Sequence, residues 1–190
     1  MSSVSPQPRV SRPYFSTFEL LVLGMFAAVV AVANLALRLP VKMPGHSGVV
    51  WMALLITASA VVPKRGAATV VASLSAFIAV LLGIGDKGAL DTALSYTAAG
   101  VGVDAVLIVL RRAGGPAVCA VAGAAGNLAK LAVKTLLDLW IGIPAGFVVA
   151  GRLIPALTHA IFGLVGGYLG FLVVAALRRA GFFTYLAEKR

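Results

Sequence analysis

The chain has 190 residues, of which 61% are hydrophobic and 12% charged, with a mean hydropathy of +1.02, a balance that excludes an ordinary soluble domain and marks an integral membrane protein. Its net charge of +10 does not point to nucleic acid, because the basic excess gathers at the ends of apolar segments, as membrane topology requires. The lone Cys119 lies inside an apolar run and excludes an internal disulfide.

Six apolar segments are predicted as membrane-spanning helices, at about 18–37, 47–62, 66–83, 88–110, 115–140 and 148–177. Helix is the only option for each, since an open strand edge would leave unsatisfied backbone groups in lipid. The first follows Arg9 and Arg12 and contains Ala31-Val32-Ala33 before Asn34, which has the outline of a signal peptide. Its apolar run continues through Leu37, however, and it reads as the first span. The second is short for a hydrocarbon core of ~30 Å, and the fifth and sixth are long or tilted. The breaks are "RLPVKMPGHSG", "PKRG", "GIGDKG", "RRAGGP" and "GIPAG", all rich in turn formers.

Ten of the sixteen Lys and Arg, namely Arg9, Arg12, Lys64, Arg65, Arg111, Arg112, Arg178, Arg179, Lys189 and Arg190, fall on one side of a six-span arrangement. Arg38, Lys42, Lys87 and Arg152 fall on the other. The majority side is expected to be cytoplasmic, with both termini inside a cell membrane crossed several times.

The fifth segment carries "NLAKLAVKTLLDLW" at 127–140. Lys130, Lys134 and Asp138 drift only about 80° around a helix, with Asn127 inside the arc, so one polar face must turn away from lipid. Lys134 and Asp138 could be an i,i+4 pair near the outer interface. Lys130 lies deeper and calls for a partner or a cavity. His46, Asp91, Arg152 and His159 are expected at similar depth and outline a site open to the outside. Trp51, Tyr96 and Trp140 are candidate aromatic walls, with interfacial anchoring the competing role for Trp51 and Trp140. Asp104 lies nearer the cytoplasm and is expected to serve a helix–helix contact.

Catalytic chemistry finds little support. There is no G-x-S-x-G elbow, two histidines without neighbouring Cys or Glu make a poor metal site, and no Walker A sequence is present to hydrolyse ATP. Neither a cofactor nor a metal is expected.

The run "GVVWMALLITASAVVPKRGAATVVASLSAFIAVLLG", followed by "GVGVDAVLIVLRR" and "LLDLW", resembles the S components of energy-coupling factor (ECF) transporters, most closely the subgroup associated with thiamine or its hydroxymethylpyrimidine precursor. The resemblance covers about residues 18–178. It implies a cytoplasmic segment at 1–16, a six-helix substrate-binding domain at 17–180 and a basic cytoplasmic tail at 181–190. It also implies a non-enzymatic subunit that captures a vitamin or related micronutrient from outside. A transmembrane T component and two ATPase subunits would then drive uptake. Family members dock through an Ala-x-x-x-Ala pattern in the first helix, which "GMFAAVVA" supplies as Ala27 and Ala31, with Gly24 and Ala28 alongside. Gly163/Gly167 and Gly166/Gly170 repeat the spacing, as internal packing also would. The chain departs from the subgroup in charge, because Lys130, Lys134 and Arg152 favour an anionic ligand unless Asp91 and Asp138 neutralise them. It departs from the metal-specific relatives in lacking a Met-His start. A stand-alone carrier or channel and a non-transport scaffold are the alternatives.

Overall fold

The computed structural model describes residues 13–37, 43–84, 88–110 and 115–183. Within them the chain is all-α: α1 (Thr17–Leu37), α2 (Gly48–Val61), α3 (Ala67–Leu81), α4 (Ala89–Val109), α5 (Pro116–Trp140) and α6 (Ala145–Arg179). Each expected segment is a helix. The largest shift is at α6, which begins directly after Pro144 rather than at 148, since a proline's fixed φ is compatible with a helix start. The basic residues at 9, 12, 38, 42, 87, 111, 112, 189 and 190 lie outside the described residues.

By length and composition α1, α4, α5 and α6 can cross a membrane, whereas α2 and α3 have 14 and 15 residues. At 1.5 Å per residue the short pair reach only about 21–22 Å. The length of α2 suits its position, because it packs against all five other helices. A helix enclosed on every side needs no polar face. Around it α1, α3, α4, α5 and α6 follow as successive neighbours, and α6 closes back onto α2.

Glycine sets the closest contacts. A Cβ on Gly123 of α5 would lie 2.3 Å from the Gly163 carbonyl oxygen of α6, and one on Gly167 would lie 2.1 Å from that of Cys119. Gly166 and Gly170 meet α2 in the same way, at the Val49 carbonyl and at Ile56. These repeats therefore serve internal packing.

The helix ends explain how the chain turns. Ser16 and Glu19 form a capping box, each side chain accepting the other's backbone N–H at 2.9 and 3.2 Å. Lys64, in the α2–α3 turn, then donates to Glu19 Oε2 and to the Tyr14 carbonyl, both at 2.6 Å, and so ties the start of α1 to that turn. After α5 the Ile143 N–H reaches Asp138 O and the Gly142 N–H reaches Leu139 O, with Gly142 at φ +89°. That is a Schellman ending, and only a left-handed residue allows it. Asp104 makes the expected helix–helix contact: its Oδ2 accepts from Thr69 N and Oγ1 of α3 at 2.8 and 2.7 Å.

The four small residues of α1 divide between two faces. Ala27 and Ala31 are buried, with the Ala27 carbonyl accepting from Ser75 Oγ of α3 at 3.1 Å. Ala28 is exposed, and a Cβ on Gly24 would meet nothing within 4 Å. Gly167→Ala should consequently cost about 1–3 kcal/mol through overpacking, while Gly24→Ala should leave stability unchanged or slightly raised. Thermal unfolding in one detergent compares them directly, and equal midpoints would contradict the tight α5–α6 seam.

Candidate functional site

A cavity of about 330 Å³ opens at the end of the bundle opposite Lys64 and Arg178. It is lined by Asn34 of α1, residues 43–47 of the α1–α2 connection, Lys130, Leu131 and Lys134 of α5, and Arg152, Pro155 and His159 of α6. Five of the ten expected ligand-site residues thus line one space: His46, Lys130, Lys134, Arg152 and His159. The other five lie behind its wall.

Lys130 is the deepest of the cations, ten residues or about 15 Å along α5 from Trp140. Its Nζ stands 4.8 Å from the ring centroids of both Trp51 and Tyr96, within the range of cation–π attraction. The two rings meet edge to face with centroids 4.2 Å apart. Trp51 is only 1% exposed, so it is not an interfacial anchor. It is a core residue whose ring supports the lysine. Trp140, 75% exposed, stands outside the cavity.

The carboxylates reach neighbouring helices, beyond the i,i+4 pair expected within α5. Asp138 forms an ion pair with Arg152 of α6. Asp91 of α4 faces Lys134 at 3.9 Å, too far for a hydrogen bond, and its buried Oδ2 has no hydrogen-bond partner. The physical reason is that α5 lies between α4 and α6, so successive polar residues of its stripe meet different neighbours. Three cations and two carboxylates make the group electropositive.

Asn127 belongs to the scaffold. Its Nδ2 donates to the His159 carbonyl at 2.8 Å and towards that of Gly45 at 3.4 Å. It thereby joins α5, α6 and the 43–47 connection. Gly48 fits against it, since a Cβ there would fall 2.2 Å from Asn127 Nδ2. Gly45, at φ +80°, lies against His159, where a Cβ would fall 2.7 Å from Nδ1. Within the rings themselves, His46 Nδ1 donates to Met43 O at 2.6 Å and His159 Nδ1 to Pro155 O at 2.7 Å. A neutral His159 then carries its acceptor on Nε2.

Asn34, Met43, Pro44, Gly45, Ser47, Leu131 and Pro155 complete the lining without having been singled out from sequence. Asn34 had a usable signal, as an amide in an apolar helix needs a partner. It donates to the Tyr96 hydroxyl. Among the described residues no group of three His, Cys, Asp or Glu could hold a metal ion.

No family model and no curated protein matches this chain. Among solved structures, the crystal structure of an S-component of an ECF transporter superposes with a TM-score of 0.69, covering 93% of this chain and 95% of that chain at 21% identity. The chain has the fold of an ECF-transporter S-component.

Proposed function

We propose that the chain is the substrate-binding S component of an ECF-type transporter, and that its ligand is a small vitamin-like anion held between α5 and α6. The observation that carries this reading is the cavity wall of Lys130, Lys134 and Arg152 within an S-component fold. The volume is at the lower end of small-molecule sites. A flat cation such as thiamine fits less well, because stacking needs an open ring face and both Trp51 and Tyr96 lie behind the lining, buried. A carboxylate or phosphate would find lysine point charges and the Arg152 fork in a site partly shielded from water.

Mass spectrometry of the small molecules retained through purification should identify an acidic compound, and calorimetry with that compound tests the residues. Removing a charge-assisted contact costs about 1.5–3 kcal/mol, so Lys130→Met or Lys134→Met should weaken binding roughly ten- to a hundredfold. Wild-type affinity in both variants would take the lysines out of the site.

In the proposed orientation all six helices traverse the bilayer, the short α2 and α3 within a locally thinned or protein-shielded region, and the ligand cavity opens outward. In a Cys119→Ala background, Arg65→Cys should be labelled only from the cytoplasm and Met43→Cys only from outside. Labelling of both from one face would reject the orientation.

The T component and its ATPases need a docking surface, and α1 offers one in Gly24 and Ala28, a small-residue notch flanked by exposed Leu21, Met25 and Val32. Ala28→Leu should impair assembly with the partner subunits at unchanged ligand affinity. Ala27→Leu and Ala31→Leu should instead destabilise the bundle itself. Normal assembly of Ala28→Leu would place the docking surface elsewhere.

A further inference from the structure

A second and larger cavity, about 480 Å³, lies at the other end of the bundle. Its walls come from four helices: Ile56, Ser59 and Ala60 of α2, Leu107 of α4, Cys119 of α5, and Phe171, Val174 and Ala175 of α6, with Pro63, Arg178 and Arg179 at its end. The space is graded along its length. From Pro63 to Ser59 is about one helical turn inward, ~6 Å, and Ile56 lies ~10 Å inward. Ile56 and Phe171 are therefore the deepest of the lining, Ser59 lies about one turn in among apolar Ala60 and Leu107, and Arg178 and Arg179 close the helix at the mouth. No acidic side chain is among the described residues that line it. Ser59 Oγ is buried and has no hydrogen-bond partner, although a helical serine hydroxyl ordinarily bonds the carbonyl four residues back. A buried donor left so costs free energy until an acceptor arrives.

We propose that this cavity binds an anionic phospholipid of the adjacent leaflet. One acyl chain lies between Ile56, Leu107, Phe171 and Val174, a glycerol ester oxygen accepts from Ser59 Oγ, and the phosphate is held by Arg178 and Arg179. Each part of the cavity meets its chemical counterpart at the depth at which a phospholipid presents it. Acyl tails in bulk lipid would fill the apolar part equally well, but they offer nothing to the serine, and a zwitterionic headgroup cancels much of the attraction at the arginines. Basic pockets between membrane helices select anionic headgroups on this principle. Arg178 is also held near the mouth, its guanidinium 5.9 Å from the Phe183 ring. The inference needs only that the chain resides in a bilayer and does not rest on the transport reading.

Native mass spectrometry of the full chain released from nanodiscs of equal phosphatidylglycerol and phosphatidylcholine provides the test. Wild type should retain one phosphatidylglycerol in at least tenfold preference over phosphatidylcholine. Arg178→Gln combined with Arg179→Gln should abolish the preference while some lipid of either class remains. Ala60→Phe, which fills the slot, should abolish retention of both. Thermal unfolding serves as the folding control. Should Ala60→Phe fail to fold, Ser59→Ala should still lower phosphatidylglycerol retention several-fold. Equal retention of the two lipids by wild type, or a double-Gln variant that keeps the wild-type preference, would overturn the proposal. So would a cavity that holds a partner-protein segment and no lipid in the assembled complex.

Discussion

Backbone contact between α5 and α6 governs the position of the charged groups that line the cavity between them, Lys130, Lys134 and Arg152. Gly123, Gly163 and Gly167 allow the two helices to touch without intervening side chains, and the contact falls where both helices are otherwise apolar. Further along, the same pair must accommodate Lys130, Lys134 and Asp138 from one side and Arg152 and His159 from the other. The helices meet through backbone at the glycines and through polar side chains further along, and the cavity lies among those side chains. Asn127 stands between the two, joining α5 to the His159 carbonyl and to Gly45.

Burial of charge then has to be met locally. An isolated ammonium in a medium of low dielectric is costly, and each cation of the cavity has a different answer. Arg152 has Asp138, Lys134 faces Asp91, and Lys130 lies over two aromatic rings. Ring quadrupoles attract a cation without neutralising it. The two rings thus contribute to holding the Lys130 ammonium beside the cavity. Trp51 and Tyr96 beneath Lys130 help to keep the lysine inside the bundle.

Helix number and approximate bounds were legible because long apolar runs broken by Gly, Pro and basic residues have few other readings in a membrane. The stripe on α5 was legible for the same reason: polar residues at i, i+3 or i+4 share a face. What lay beyond local reading was which helix each residue would meet. Asp138 pairs with α6 and Asp91 approaches α5 because α5 lies between α4 and α6, which no single helix reveals. Trp51 was ambiguous because α2, enclosed on all sides, carries no polar face from which to infer an inside. In α1, Ala27/Ala31 and Gly24/Ala28 have the same spacing on adjacent faces. Composition cannot tell a small residue that admits a neighbour within the bundle from one that leaves a notch on its surface. The 43–47 connection was read for His46 alone, although Pro44, Gly45 and Gly48 mark a backbone that must pass close to something.

The two cavities meet different parts of one helix and do not join. α2 begins beside the ligand cavity, where Trp51 supports Lys130, and reaches the second cavity through Ile56 and Ser59. Between them Met52 and Leu55 are fully buried, with Met52 packed on Gly126, and α6 is pressed against α2 at Gly166 and Gly170. A packed interior of this density resists continuous deformation and moves in discrete steps. A septum of side chains and backbone therefore separates the two cavities. Pro155 interrupts the regular hydrogen bonding of α6 at the wall of the first cavity, on the near side of that septum. Joining the two cavities would require α2 and α6 to separate at Gly166 and Gly170, where their backbones are in contact.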